Sequence, residues 1–334
     1  MFTLRFDMRA PASGAPRNEL YAAAVEMCAW AETRGAIAAV LSEHHGTEDG
    51  HLPSPPLLAA AIAARTETLT IMLAAVILPF WDPVRLAEDI SVLDIISNGR
   101  VAYAFGIGHR AEEYQHFGID SRARGRVADE KLALLLQLLR GEPVQHQGRR
   151  IHVTPACLRA PHIMVAGASR AAARRAARHG LGLLAQANPP GLKDFYEEQC
   201  RAHGREPGAC QFPDADAPTT VFVTDDVDRA WDELGPYLLH DAMTAAAYRH
   251  GDATIASISR ATSVAELRET SGPYRIVTAD DAVAQLRAGR SLPLLPLCGG
   301  LPPALAWPYL EHAAAAVARG NEGTLNEEVK PPIW

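Results

Sequence analysis

The sequence predicts a single α/β domain of the (β/α)₈ TIM barrel class, with insertions after strands 4 and 7. Three observations predict it. Short, almost continuously apolar runs recur along the chain, as parallel strands covered on both faces require. Each is followed by a stretch whose apolar residues return at helical spacing. Eight such pairs fit within the 334 residues, which suits a closed barrel better than an open sheet. Residues 1–319 are expected to form the barrel, and the polar, Pro-containing residues 320–334 a tail.

Phe2–Phe6 reads as the first strand. In residues 18–33, Leu20, Ala24, Met27, Cys28 and Ala31 share one helical face, and Gly35 follows where a helix end favours glycine. Ala36–Leu41 is the second strand. Ser54 and Pro55 open a helix to residue 64, with the proline where its missing N–H costs nothing. Residues 68–78 read as the third strand, 83–96 as a helix and 101–107 as the fourth strand. Residues 122–139 are strongly helical, with Leu132, Leu135, Leu136 and Leu139 on the apolar side. Residues 141–160 predict a short β excursion. Strand 162–165, helix 169–179, strand 181–185, helix 191–203 and strand 219–223 resume the alternation. Helical stretches at 225–239, 264–269 and 280–287, around a polar segment at 251–263, are expected to form an extended seventh crossover. Residues 294–297 are the candidate eighth strand and 304–318 the closing helix.

Composition narrows the function. The chain is 48% hydrophobic with only 6% aromatics, so Ala, Leu, Ile and Val must build the core. A net charge of −7 leaves no basic footprint for nucleic acid. Arg170, Arg174, Arg175 and Arg178 fall on one helix and read mainly as a solvated face. Five cysteines, Cys28, Cys157, Cys200, Cys210 and Cys298, form no C-x-x-C pair, which argues against a zinc ribbon or a disulfide framework and fits a reducing cytosol. Residues 1–14 lack the pattern of a signal peptide, and the apolar run 71–78 is shorter than the roughly 20 residues a membrane span needs. A cytoplasmic protein with neither a membrane nor a nucleic-acid partner is expected.

The densest polar cluster is 43–51, beginning with Glu43, His44 and His45 just beyond the second strand. In a β/α barrel that is the rim where catalytic groups gather. Two imidazoles and a carboxylate there supply an acid or base and an orienting partner; an ordinary polar loop is the alternative. Adjacent histidines aim poorly at one ion and no H-E-x-x-H spacing occurs, so no metal is expected. Gly106-Ile107-Gly108-His109-Arg110-Ala111 follows the fourth strand and loosely matches a dinucleotide-binding G-x-G-x-x-A, with Asp129 at the distance of the acidic residue. A glycine-lined strand end approached by a ring or phosphate suits it better. Gly167, Ala168 and Ser169 open a helix, which suits a phosphate or a plain N-cap serine. Arg85, Glu88, Asp94 and Arg100 read as structural charges, and Cys28 and Met72 as core.

These blocks together resemble a known family. Leu41-Ser42-Glu43-His44-His45, Ala74-Ala75-Val76-Ile77-Leu78-Pro79, residues 82–89 with Leu93-Asp94, and Ser97-Asn98-Gly99-Arg100 resemble the bacterial luciferase-like monooxygenase superfamily. So do Glu112-Glu113-Tyr114 through Phe117-Gly118, and Val165 to Ser169. The resemblance is strongest over residues 36–118, moderate over 160–185 and weak afterwards. It implies a (β/α)₈ barrel binding a reduced flavin at the rim: FMN with O₂ in many members, the deazaflavin F420 with hydride transfer in others. It implies catalytic roles for His44 and His45, and cofactor contacts at Glu43, Ala74, Ala75, Gly106, Gly108, His109, Gly167, Ala168 and Ser169. It also implies a non-proline cis peptide at Ala74-Ala75. One departure is that Gly108-His109 stands where luciferase has Cys-Arg, so His109 or Arg110 would have to replace a phosphate-binding arginine; this argues against light emission.

The expected function is therefore a two-component monooxygenase using reduced FMN and O₂ on a small organic substrate, served by a separate flavin reductase and assembled as a homodimer. An F420-dependent dehydrogenase or reductase, or a non-catalytic flavin-binding subunit, are the alternatives.

Overall fold

The computed structural model describes residues 1–214, 217–248, 255–270 and 272–322. The expected segment 251–263 and the tail 320–334 lie partly outside these residues.

In chain order, β1 (Phe2–Phe6), α1 (Arg17–Glu32), β2 (Ala36–Leu41), α2 (Pro55–Ala63), β3 (Thr70–Ile77), α3 (Pro83–Ser97) and β4 (Val101–Gly106) alternate as the hydrophobic pattern requires. Then come α4 (Ala111–His116), α5 (Arg124–Leu138), a hairpin of β5 (Val144–His146) and β6 (Arg149–Ile151), and β7 (His162–Ala166). Next are α6 (Arg170–His179), β8 (Gly182–Leu184), α7 (Leu192–Ala202), β9 (Cys210–Gln211) and β10 (Thr220–Thr224). The last segment carries α8 (Val227–Tyr248), α9 (Val264–Glu269), β11 (Tyr274–Thr278), α10 (Ala279–Arg287), β12 (Leu292–Leu294) and α11 (Pro303–Asn321).

These elements form two compact units. One holds residues 1–41, 47–53 and the described residues from 213 onward; the other holds 42–46 and 54–212. In the first, parallel strands run in the order β11-β10-β12-β1-β2. Helix α1 buries Leu20, Ala23, Ala24, Met27, Cys28 and Ala31, nearly the face its periodicity marks. In the second, β3-β4-β7-β8-β9 are parallel and the β5–β6 hairpin is antiparallel.

The segments after β4 and after β10 are the two insertions expected from the sequence. Within the second, the structure corrects the reading. Tyr274–Thr278 is a strand, β11, paired in parallel with β10, not part of a helical crossover. Four of its five residues, Tyr274, Ile276, Val277 and Thr278, are aromatic or β-branched, but they run directly into helix α10. The last strand is Leu292–Leu294, two residues earlier than expected, because Leu295–Leu297 leads into a short 3₁₀ turn.

Strands β3, β4 and β7 position the candidate site. Ile77 pairs with Gly106 and Phe105 with Val165, so three parallel strands end at the same edge. The register shifts between Ala74 and Val76, leaving Ala75 as an extra residue that bulges from the ladder.

Candidate active site

Glu43 follows β2 and is 2% exposed. A carboxylate so buried needs donors, and it has three. Ile77 N–H, the last amide of β3, donates to Oε2 at 2.8 Å. The Trp81 indole N–H reaches Oε1 and Oε2 at 3.0 and 3.2 Å. His45 Nε2 lies 2.7 Å from Oε1. With an amide and an indole as the other partners, the carboxylate accepts, and the imidazole nitrogen facing it donates.

His44 carries the second pair. Its Nδ1 lies 2.9 Å from Oε1 of Glu113, on α4. The same oxygen accepts from His45 N–H at 3.0 Å and Arg110 Nη1 at 3.3 Å. Arg110 also donates to the His45 carbonyl at 3.0 Å. Burial pushes the Glu113 carboxyl up, but the His44 hydrogen bond and charge, the His45 amide and Arg110 outweigh it and hold the group below the ordinary carboxylate range. Its second oxygen, Oε2, is buried without a hydrogen-bond partner. The His109 ring meets His44 edge-on, with centroids 5.9 Å apart. The His45 ring packs edge-on against Phe117 at 4.7 Å and Phe80 at 5.6 Å, and those two phenyls stack at 4.5 Å. Tyr114 lies against Phe80 and donates to the Ile107 carbonyl.

Beside the imidazoles the strand ends are stripped of bulk. The Ala74–Ala75 peptide bond is cis, as the resemblance implied. A Cβ on Gly106 would stand 3.1 Å from the Ala75 Cβ and 3.7 Å from that of Ala166. Three neighbouring strands thus present methyls or hydrogens at one edge, a cradle that a branched side chain at 106 would fill. Gly108 has φ +66°, and a Cβ there would meet Ile77 Cγ2 at 2.9 Å, so position 108 requires glycine. At the end of β7, Gly167 and Ala168 lead into α6, where the exposed Ser169 accepts from Ala172 N–H at 3.2 Å as its N-cap. A floor of small residues fits a flat ring, and a helix N-terminus after Gly167 fits its phosphate. Among the described residues, no group of three or more His, Cys, Asp or Glu is placed to hold a metal ion. No helix among them is long and apolar enough to cross a membrane.

A family model described as luciferase-like monooxygenase matches residues 2–291. The chain belongs to this family. Among its relatives, the oxygenase component of a flavin-dependent trigonelline monooxygenase from Acinetobacter baylyi is 30% identical over 44% of this chain and 41% of its own length. Limonene 1,2-monooxygenase from Rhodococcus erythropolis is 30% identical over 47% of this chain and 43% of its own. An uncharacterized protein, y4vJ, of Sinorhizobium fredii is 30% identical over 51% and 50%. The chain therefore spans half or less of the curated relatives it matches. Solved structures align over far more of the chain. Monooxygenase RslO1 from Streptomyces bottropensis superposes with TM-score 0.73 at 22% identity, covering 96% of this chain and 99% of its own. The oxygenating constituent of 3,6-diketocamphane monooxygenase from Pseudomonas putida, a type II Baeyer-Villiger enzyme in complex with FMN, superposes with TM-score 0.70 at 20% identity, covering 96% and 98%. These likenesses show the fold, the luciferase-like (β/α)₈ class expected from the sequence.

Within this family fold, Glu43, His44, His45 and His109 come together, and Ala75 and Gly106 face each other. Ser169 caps α6, accepting from Ala172 N–H, at the helix start that follows Gly167 and Ala168. Arg110 is committed to Glu113 and the His45 carbonyl. The dinucleotide-binding reading of 106–111 fails: α4 has six residues, and Asp129 lies on α5, where its Oδ1 is 2.7 Å from Arg175 Nε. That pair also corrects the arginine stripe, since Arg175 is buried rather than part of a solvated face. Arg85 pairs with Asp89 on the surface, and Arg100 donates to carbonyls of Ala63, Thr66 and Leu69, both structural as read. Sequence reasoning missed Glu113 and Trp81 as site residues. Glu113 lay inside a quoted motif, and an acid three residues after Arg110 at a helix start was the available signal. Trp81 gave none.

Proposed function

We propose that this chain is the oxygenating component of a flavin-dependent monooxygenase, using reduced FMN from a separate reductase and O₂ to oxidise a small organic substrate. The observation that carries this is the paired His44–Glu113 and His45–Glu43 contacts beside the floor of Ala75, Gly106 and Ala166. Family membership and the monooxygenase relatives support it.

In this reading Ala74, Ala75, Gly106, Gly108 and His109 would hold the ring, and Gly167, Ala168 and Ser169 would hold the phosphate. Bound there, the reduced flavin supplies the electrons that activate O₂. Glu113 commits Nδ1 of His44, so His44 holds or moves a proton at Nε2. Glu43 fixes His45. Phe80, Tyr114 and Phe117 wall off water beside His45 and favour an apolar substrate. A reductase in the cytoplasm renews the cofactor.

The same reading takes the chain as a homodimer. Leu57 on α2 and Val92, Ile95 and Ile96 on α3 are exposed apolar residues on two helices that pack together, and a second copy of the chain would cover them.

Equilibrium binding of reduced FMN and of reduced F420 to the apo-protein, followed by reductase-coupled oxidation of candidate substrates, tests the proposal. Tight binding of FMN with substrate oxidation supports it. Preferential binding of F420 would replace it with hydride transfer, and binding of FMN without oxidation of any substrate with a non-catalytic role.

A further inference from the structure

The carbonyls of Pro79 and Trp81 sit at the turn between β3 and α3, in the run Leu78-Pro79-Phe80-Trp81-Asp82-Pro83-Val84-Arg85. Local backbone does not serve them. The amide four residues beyond Pro79 belongs to Pro83, which has no N–H. The amide four beyond Trp81 belongs to Arg85, and its N–H goes to Asp82 Oδ1 at 3.0 Å, alongside that of Val84 at 2.9 Å. The sequence that caps α3 so firmly thereby strips two acceptors of their usual donors.

One cation answers both. Lys131 reaches across from α5, and its Nζ lies 2.6 Å from the Pro79 carbonyl and 2.7 Å from that of Trp81. Charge-assisted bonds to two carbonyls two residues apart hold the intervening Phe80 and the start of Trp81 as a rigid bracket. From that bracket the Trp81 indole bonds both oxygens of Glu43, and Glu43 bonds Nε2 of His45. Phe80, inside the bracket, packs on the His45 ring.

We infer that Lys131 is a positioning residue that fixes the plane of the His45 imidazole through the Pro79–Trp81 turn, the Trp81 indole and Glu43. It touches no reacting atom, and its importance for turnover rests on the function proposed above. Its structural role does not. A methionine at 131 keeps the length and apolar stem but leaves two half-buried carbonyls without a donor, so the turn relaxes and the indole leaves Glu43.

The test uses the full chain and two readouts. In the apo-protein, the His45 Nε2–H proton is followed by NMR for exchange with water. It should be protected in wild type and in Lys131→Arg, and exchange at least tenfold faster in Lys131→Met and in Trp81→Phe. In the reductase-coupled assay, Lys131→Met should lower kcat roughly ten- to a hundredfold, the scale of a small misplacement at a reacting centre, with KM and the FMN Kd unchanged. Lys131→Arg should restore it. The Lys131→Met/Trp81→Phe double variant should lose no more than the worse single one, because both act on one path. Unchanged proton protection in Lys131→Met, or losses that multiply in the double variant, would overturn the inference. A wild type that neither binds FMN nor turns over substrate would sink the proposed function, while the proton-exchange result would still decide the bracket.

Discussion

Nδ1 of His44 stands 2.9 Å from Oε1 of Glu113, a carboxylate with 1% of its surface exposed. Three donors converge on that single oxygen while its twin is buried with no hydrogen-bond partner. A charge this unevenly satisfied is poised to respond when a neighbouring imidazole gains or loses a proton. The His45–Glu43 pair differs: both Glu43 oxygens are served, which marks it as a fixed support.

This asymmetry separates the two histidines. His44→Ala should lower kcat by roughly 10²–10⁴, the usual share of a general acid or base. Glu113→Gln should lower it about tenfold or more, since a neutral amide oxygen holds His44, His45 and Arg110 more weakly than a carboxylate does and its NH₂ would sit, without an acceptor, where Oε2 is buried. Both variants should keep the wild-type circular dichroism. Wild-type turnover in His44→Ala would remove the histidine from the chemistry.

The strand-end floor has its own test. Gly106→Val places branched carbons where even a Cβ would be 3.1 Å from Ala75. Valine suits a strand, so the fold should survive. The Kd for reduced FMN, measured by titration, should rise at least about tenfold. An unaltered Kd would mean that the ring does not lie on this floor.

A second buried cluster predicts how stability varies with pH. Arg9 lies 2.7 Å from Asp49, 3.1 Å from Asp241 and 3.7 Å from Asp7. One cation cannot serve three acids equally. Burial and the charge of Asp241 push Asp7 up to about 7 against the pull of Arg9. An acid whose pKa is higher folded than unfolded binds its proton better in the folded state, so stability from this group is full below about pH 4 and is lost as pH rises to about 7. Asp7→Asn should abolish that loss and raise Tm at pH 8 by at least roughly 2 °C. Thermal melts from pH 4 to 9 on both proteins would reveal it; parallel curves would show that Asp7 does not titrate there.

The homodimer predicts a surface effect. Replacing Val92 and Ile96 with Glu, at positions 46% and 45% exposed, should cost little folding stability but should give a monomer by light scattering. A monomeric wild type would refute the dimer outright.

Much of the fold was legible because it rests on local pattern. Continuous apolar runs such as Ala36–Leu41 and Val101–Gly106 became strands, and the periodic face of α1 became core. Strand β11 was hidden because Tyr274–Thr278 is half-buried and runs straight into α10, so neither burial nor a turn set it apart. At the site, the histidines were visible by composition and position. Their carboxylate partners were not equally so: Glu43 is two residues from His45, whereas Glu113 is 69 residues from His44 and Trp81 is 38 from Glu43.

The order of residues by itself determined the strand–helix alternation, the family and the cluster Glu43-His44-His45, because periodicity and motif spacing are properties of neighbouring residues. Only the folded chain decided that Glu113 takes His44, that Arg175 turns inward to Asp129, and that Lys131 serves a turn some 50 residues away. Hydrogen bonds between distant side chains depend on which elements pack together and in what register, and no local spacing encodes that.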